Sequence, residues 1–176
     1  MPQAPHLTPA ATADLPAIAA LVNSAYRGET SRQGWTTEAD YLGGQRTDAA
    51  TLERELAEQP GAVILTLRED GELLGSVWLE PAEEGVWYLG MLTVRPDIQD
   101  RQLGRALLAG GEAYAAERGA ARVRMTVVHV RDTLIAWYER RGYTLTGQTL
   151  PFPYEDQRFG EPMRDDLHFV VMEKGL

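Results

Sequence analysis

No cysteine occurs in the 176 residues, which excludes disulfides, thiolate metal sites and a cysteine nucleophile, and leaves the redox compartment unmarked. Histidine is scarce as well, three residues without metal-ligand spacing, so no metal is expected. Long apolar runs are missing: none approaches the ~20 residues of a membrane-spanning helix. The opening MPQAPHLTPA has neither a basic region nor an apolar stretch. The expectation is a soluble cytoplasmic protein. Positive charge is the other shortage. With 17 Lys and Arg against 26 Asp and Glu, the formal net charge is -9. That balance argues against nucleic acid or an anionic membrane as partner, because both need a basic face. It suits an amine-bearing partner.

What is present fits one domain over 1–176, long enough to bury a core. Leu7 opens a short strand, and Asp14 to Tyr26 reads as a helix with Leu15, Ile18, Leu21 and Val22 at helical spacing. The polar, aromatic segment from Arg27 to Asp48 reads as a loop with a short helix around Thr37 to Leu42. Asp48 can cap a helix over Ala49 to Gln59, which Pro60 and Gly61 stop. Val63–Arg68 and Leu73–Leu79 flank Asp70-Gly71, a two-residue hairpin signal, and Val86–Val94 is the next strand. Then follow a long helix ending at Gly119, a strand Val123–Val128, a helix from Asp132 to Gly142, and a last strand pair, Thr144–Thr149 and His168–Glu173. The order β-α-α-β-β-β-α-β-α-β-β gives a mixed α/β sheet with helices packed on it.

The most informative stretch is Leu89 to Leu108, LGMLTVRPDIQDRQLGRALL. A strand breaks at Pro96 and a helix starts near Arg101, with Gly104 leaving its surface bare and Arg101 and Arg105 beside the turn. Unpaired N–H groups and the positive end of the macrodipole make such a start an anion cradle. In RDTLIAWYERRGY, Tyr138 shares a helical face with Leu134 and Ile135 and should point inward. A phenol titrates near ~10, close enough to a thiol for proton transfer to a departing thiolate to be nearly balanced.

These two segments together resemble the GCN5-related N-acetyltransferase (GNAT) superfamily, over almost the whole chain. In the family's pyrophosphate loop, Gln99 and Gly104 match, while Gln102 stands where the first glycine is expected and must keep a helical backbone with its side chain outward. WYERRGY looks like the family's tyrosine-bearing helix end, with Gly142 and Tyr143 as its terminal glycine and aromatic. His129, Arg131 and Asp132 occupy the approach where the family often has Asn. The resemblance implies a largely antiparallel sheet of six to seven strands with a splayed central parallel pair, and acetyl-CoA as co-substrate. It implies that Leu92, Thr93 and Val94 offer backbone to the pantetheine arm. It also implies that Gln99, Asp100, Arg101, Gln102, Leu103, Gly104 and Arg105 wrap the pyrophosphate, with Arg131 and Tyr138 also on the cofactor.

The implied reaction is direct attack by a neutral amine, an amide near Leu92 holding the oxyanion and Tyr138 reprotonating the thiolate. Tyr88 stands where related enzymes often carry a glutamate, so Glu38 and Glu80 are the candidate bases. Arg32, Trp35, Glu38, Arg46 and Tyr88 are the candidate acceptor-binding residues. Two arginines there could hold a carboxylate bidentately, and the expected acceptor is an amino acid, a polyamine-like compound or another amine-bearing metabolite. The connection with Phe152, Tyr154 and Phe159 could wall the acceptor cleft or form a homodimer contact.

Blander readings stand beside these. Gln99 to Arg105 could be an ordinary helix start, Tyr138 a core tyrosine, His129 a packing residue, and Trp35 a cover for the core. Arg140-Arg141 and Asp165-Asp166 read as solvated charge. A peptide or protein N-terminus as acceptor, a non-catalytic acyl-CoA sensor, and a domain without CoA affinity remain open.

Overall fold

The computed structural model describes residues 6–155 and 161–176, apart from the side chain of Asp100. Among them, seven strands form one sheet in the order β1-β3-β4-β5-β6-β9-β7. These are β1 (Leu7–Pro9), β3 (Val63–Glu69), β4 (Glu72–Glu83), β5 (Val86–Val94), β6 (Arg122–Val128), β7 (Thr144–Pro151) and β9 (His168–Gly175). All neighbours are antiparallel except β5 and β6. That pair is bonded only over Val86–Tyr88 and Arg122–Arg124; beyond it β5 stays with β4 and β6 with β9, so the sheet splays into a wedge. β3 and β4 turn at Asp70 and Gly71, both at positive φ (51° and 80°), as a primed two-residue hairpin requires.

Side chains alternate across the sheet, and both faces are covered. Leu65, Leu67, Val77 and Leu79 join the core under α3 (Leu103–Glu117) and α4 (Asp132–Glu139). Ile64 and Trp78 face α1 (Leu15–Tyr26) and α2 (Ala49–Glu58). This is why β3 and β4 read as near-continuous apolar runs. α1 carries Leu15, Ile18, Val22 and Tyr26 inward, and Asp48 caps α2 by accepting from the Thr51 N–H at 2.7 Å.

Two elements differ from the sequence reading. The short helix expected over Thr37 to Leu42 is absent; a 3-10 turn forms earlier, over Glu29–Gln33. Leu42–Gly43 is instead a strand, β2, paired with β8 (Glu161–Pro162) in a small separate sheet. The Ser31 hydroxyl lies 2.6 Å from that of Thr37 and donates to the Gly28 carbonyl. No described helix is long and apolar enough to cross a membrane.

Candidate active site

β5 does not run straight to its end. Its ladder with β4 shifts between the Ser76↔Thr93 and Trp78↔Gly90 pairs, so Met91 and Leu92 together oppose Val77. Met91 sits at φ 45°, a strained conformation for a side chain with a Cβ, and the bulge turns backbone into the wedge. The Tyr26 hydroxyl donates to the Leu92 carbonyl and pins the bulge from α1. Sequence reading did not single out Tyr26; its signal was its place on the buried face at the end of α1.

Beyond β5 the chain makes a 3-10 turn, Pro96–Arg101, and enters α3 through Gln102. Gln102 has φ 61° and ψ 23°, left-handed and not helical as expected, which accounts for glycine being usual there. Its exposed side chain accepts from the Arg105 guanidinium at 2.9 Å, and both residues line the cleft at the start of α3. No side chain caps α3, and Gln102, Gly104 and Arg105 at its start line a cleft of about 270 Å³. Gly104 lines that cleft; a Cβ there would lie 3.5 Å from the Trp137 ring, an ordinary contact, so the bare backbone serves the cleft and not the packing.

The cationic contribution is rearranged relative to the sequence reading. Arg101 turns away to pair with Glu69 at 2.8 Å and does not line the cleft. Arg105 does line it, and so does Arg141, read from the sequence as solvated. Arg141 stacks 3.8 Å from the Trp137 ring centroid and donates to the Trp137 carbonyl at 2.8 Å, a local i−4 contact. Burial, and the neighbouring charges of Arg105 and Arg140, hold its pKa below the usual value, so an anion here would relieve repulsion.

Leu103 is core, and the Thr93 hydroxyl is buried and donates to the Met91 carbonyl; of both, only backbone can serve the cleft. The Gln99 side chain is a clamp: it accepts from the Trp35 N–H and donates to Thr36 and the Val94 carbonyl. That clamp brings Trp35 beside Trp137, centroids 5.9 Å apart, into this cleft, away from the other candidate acceptor residues Arg32, Glu38, Arg46 and Tyr88, which do not line it.

A second cleft fills the splay between β5 and β6, and the two share Tyr26, Leu92, Leu134 and Tyr138. Tyr138 is 6% exposed, and among the described residues none bonds to its hydroxyl. Burial pushes the pKa of this phenol well above the ordinary value. It is therefore a firmly protonated donor, and the near balance with a thiolate expected from a free phenol is tilted toward retaining the proton.

Arg131 lines the second cleft, not the first. Its guanidinium donates to Glu38 at 3.1 Å and to the Thr36 carbonyl, while Arg27 holds the other Glu38 oxygen. All three residues are buried. Burial by itself would raise the Glu38 pKa, but the Arg131 and Arg27 charges outweigh it and keep the carboxylate ionised. A carboxylate so held is a strut between the loop and α4 and a poor proton acceptor. Arg32 lies outside both clefts, paired with Asp40 and Glu29 on the surface.

Arg46 is set in place by Asn23, whose side-chain oxygen accepts from the Arg46 and Thr47 N–H groups at 2.7 and 3.1 Å. Arg46 and Tyr88 line the second cleft and a third one outside it, which Glu80 also lines. The Tyr88 hydroxyl is 3.2 Å from that of Thr126. Phe152 lines the second cleft; Phe159 lies outside the described residues. His129 and His168 stack 3.8 Å apart at the mouth of β6 and β9, in neither cleft. Among the described residues no cluster could hold a metal ion.

The model of the "Acetyltransferase (GNAT) family" matches residues 18–143. A mycothiol acetyltransferase of Stackebrandtia nassauensis is 29% identical over 126 residues, 69% of this chain and 38% of that protein. One of Tsukamurella paurometabola is 29% identical over 78% of this chain and 47% of its own length, so the chain spans less than half of these relatives. Among solved structures, the ribosomal-protein-alanine N-acetyltransferase of Brucella melitensis superposes with TM-score 0.71 at 22% identity, covering 97% of this chain and 99% of that one. The PaiA N-acetyltransferase of Thermoplasma acidophilum, in complex with coenzyme A, gives 0.68 at 16% identity over 99% and 100%. At such identities the likeness is one of fold.

Proposed function

The chain belongs to the acetyltransferase (GNAT) family, and from that premise we propose that it transfers the acetyl group of acetyl-CoA to the amine of a small molecule by direct attack. One observation carries the reading. The uncapped, positively flanked start of α3 and the unpartnered hydroxyl of the largely buried Tyr138 side chain open on adjoining clefts, with the β5 bulge between them.

Acetyl-CoA, when bound, supplies an activated acetyl thioester. The residues present fit it. The α3 amides with Arg105 and Arg141 suit a diphosphate, and Leu92, Val94, Leu134 and Trp137 give an apolar lining for a pantetheine arm. Tyr26 fixes the bulged backbone that carries the oxyanion-binding amide near Leu92. Tyr138 donates a proton or a strong hydrogen bond at the departing sulfur. The Glu38 strut with Arg27 and Arg131 holds the loop and the start of α4 in register around Tyr26 and Tyr138. The attacking amine forms its nitrogen–carbon bond as the carbon–sulfur bond breaks, and gives up one proton to a base on the acceptor side. The relatives' name, mycothiol acetyltransferase, supports a small-molecule acceptor.

Release of free CoA thiol from acetyl-CoA in the presence of an amine panel tests the reading. Turnover with at least one amine is expected. Binding of acetyl-CoA without turnover on any of them would leave a sensor.

A further inference from the structure

A further groove, of about 460 Å³, runs between α3 and the end of α4. Arg105, Ala109 and Glu112 line it from one face of α3, Arg140 and Arg141 from the residues that close α4, and Lys174 from β9. Arg105 and Arg141 also line the cleft at the start of α3, whereas Arg140 and Lys174 do not.

The groove inverts the charge of the chain. Four cations face one carboxylate, and that carboxylate is taken: Glu112 accepts from the Tyr143 hydroxyl at 2.8 Å and pairs with Lys174 at 3.0 Å. Among the described residues no carboxylate pairs with Arg105, Arg140 or Arg141, although the net charge is -9 and Arg68, Arg95, Arg101 and Arg124 each have such a partner.

Two observations separate these arginines from ordinary solvated charge. Arg105 sits in the first turn of α3, where the macrodipole is already positive and no acidic residue offsets it. It donates to the neutral Gln102 side chain. Independently, Arg141 stacks on Trp137, and its buried Nε has no hydrogen-bond partner among the described residues. Burial first, then the charges of Arg105 and Arg140, disfavour its cationic form. The negative end of α4 accounts for Arg140 and Arg141 following that helix. It does not account for a third guanidinium brought against them from the positive end of α3. An anion in the groove would offset the repulsion among all three.

We propose that the groove seats a phosphomonoester of the same donor, the ribose phosphate of coenzyme A, on Arg105, Arg140 and Arg141. This rests on the transferase reading above and deepens it: the chain selects coenzyme A thioesters over donors that keep the pantetheine and the diphosphate but lack that phosphate. A phosphomonoester carries about -1.5 to -2 charges at neutral pH, and planar guanidinium groups bind it through paired N–H donors. Arg105 and Arg141, lining both spaces, join the diphosphate position to this one.

Ligand-titrated melts of the full chain decide it, with CoA, dephospho-CoA, adenosine 3′,5′-bisphosphate, AMP and inorganic phosphate as ligands. CoA should bind about tenfold tighter than dephospho-CoA. The bisphosphate should stabilise the fold more than AMP, and inorganic phosphate least of all. In initial rates, acetyl-CoA should exceed acetyl-dephospho-CoA in kcat/KM by a similar factor, through KM. Arg140→Gln should cut CoA affinity about fivefold and leave dephospho-CoA within about twofold; Arg105→Gln should narrow the same ratio. Arg140 and Arg105 are exposed, so both variants should fold. Arg164→Gln, which removes an exposed cation that lines neither space, should keep the ratio. Added salt should shrink it. Equal affinity for CoA and dephospho-CoA, an equal effect of inorganic phosphate and the bisphosphate, or a preference untouched by Arg140→Gln and Arg105→Gln overturns the inference and leaves the transferase reading standing. If neither CoA nor acetyl-CoA stabilises the fold, both fall.

Discussion

Tyr138 is a largely buried side chain whose hydroxyl has no partner among the described residues and which lines both adjoining clefts. Replacing it with Phe removes that hydroxyl and little else. Turnover should fall about a hundredfold, while the acetyl-CoA concentration for half-maximal stabilisation shifts by less than about twofold. Single-turnover kinetics with a ligand-titrated melt would separate the two; an unchanged rate removes the hydroxyl from the chemistry. Glu38 carries a different kind of prediction. Its folded pKa lies below its unfolded value, about 4.3, because two guanidinium groups favour the charged form. The stabilisation it brings is therefore fully present above that value and is lost as pH falls through the lower, folded pKa. Glu38→Gln should cost about 3 kcal/mol at neutral pH, since it leaves Arg27 and Arg131 buried without their counter-charge. It should also flatten the acid limb of stability against pH. Denaturant melts between neutrality and acid pH read both effects.

At the scale of the element, the start of α3 lacks the groups that would satisfy it from within the chain. Its first N–H groups have no side-chain cap, and its N-cap residue is a glutamine in a conformation that favours glycine. Gln102→Gly should leave the unliganded melting temperature within a few degrees, because about 1 kcal/mol of relieved strain offsets a similar entropic cost. Gly104→Leu should fill the cleft and not the core, lowering acetyl-CoA affinity at least about tenfold with a stability change within about 1 kcal/mol. Arg101 and Arg141 make a paired test on the cations. Arg141→Ala should weaken acetyl-CoA binding several-fold, and Arg101→Ala should not, because Arg101 spends its charge on Glu69 outside the cleft. Equal losses in the two variants would contradict the placement of either side chain.

At the scale of the molecule, a net charge of -9 coexists with one cleft lined by Arg105 and Arg141 and another lined by Glu55, Glu58 and Glu80. The two share no lining residue among the described ones; the cleft in the splay between β5 and β6 lies between them, meeting the first at Tyr26, Leu92, Leu134 and Tyr138 and the other at Arg46, Tyr88, Gly90 and Met91. Acetyl-CoA at a hundred times its dissociation constant should stabilise the chain by about 2.7 kcal/mol, a rise of roughly 5–10 °C in melting temperature for a chain of this size. No shift at saturating ligand would remove the cofactor from the account altogether.

The sequence by itself determined the order of elements, the Asp70-Gly71 hairpin, the helix start after Pro96 and the inward face of Tyr138, because each depends on residues within a turn or two of one another. The family pattern carried in those segments was legible for the same reason. Only the tertiary structure decided which arginines enter the cleft, that Trp35 lines the cleft at the start of α3, that Glu38 is claimed by Arg131 from 93 residues away, and that α2 lays two glutamates beside Glu80. It also decided against the expected helix over Thr37 to Leu42, where a long-range pairing of Leu42–Gly43 with Glu161–Pro162 took over. Those outcomes hang on side chains meeting across the sheet, and local spacing holds no record of which distant group will arrive to satisfy a charge or a hydrogen bond.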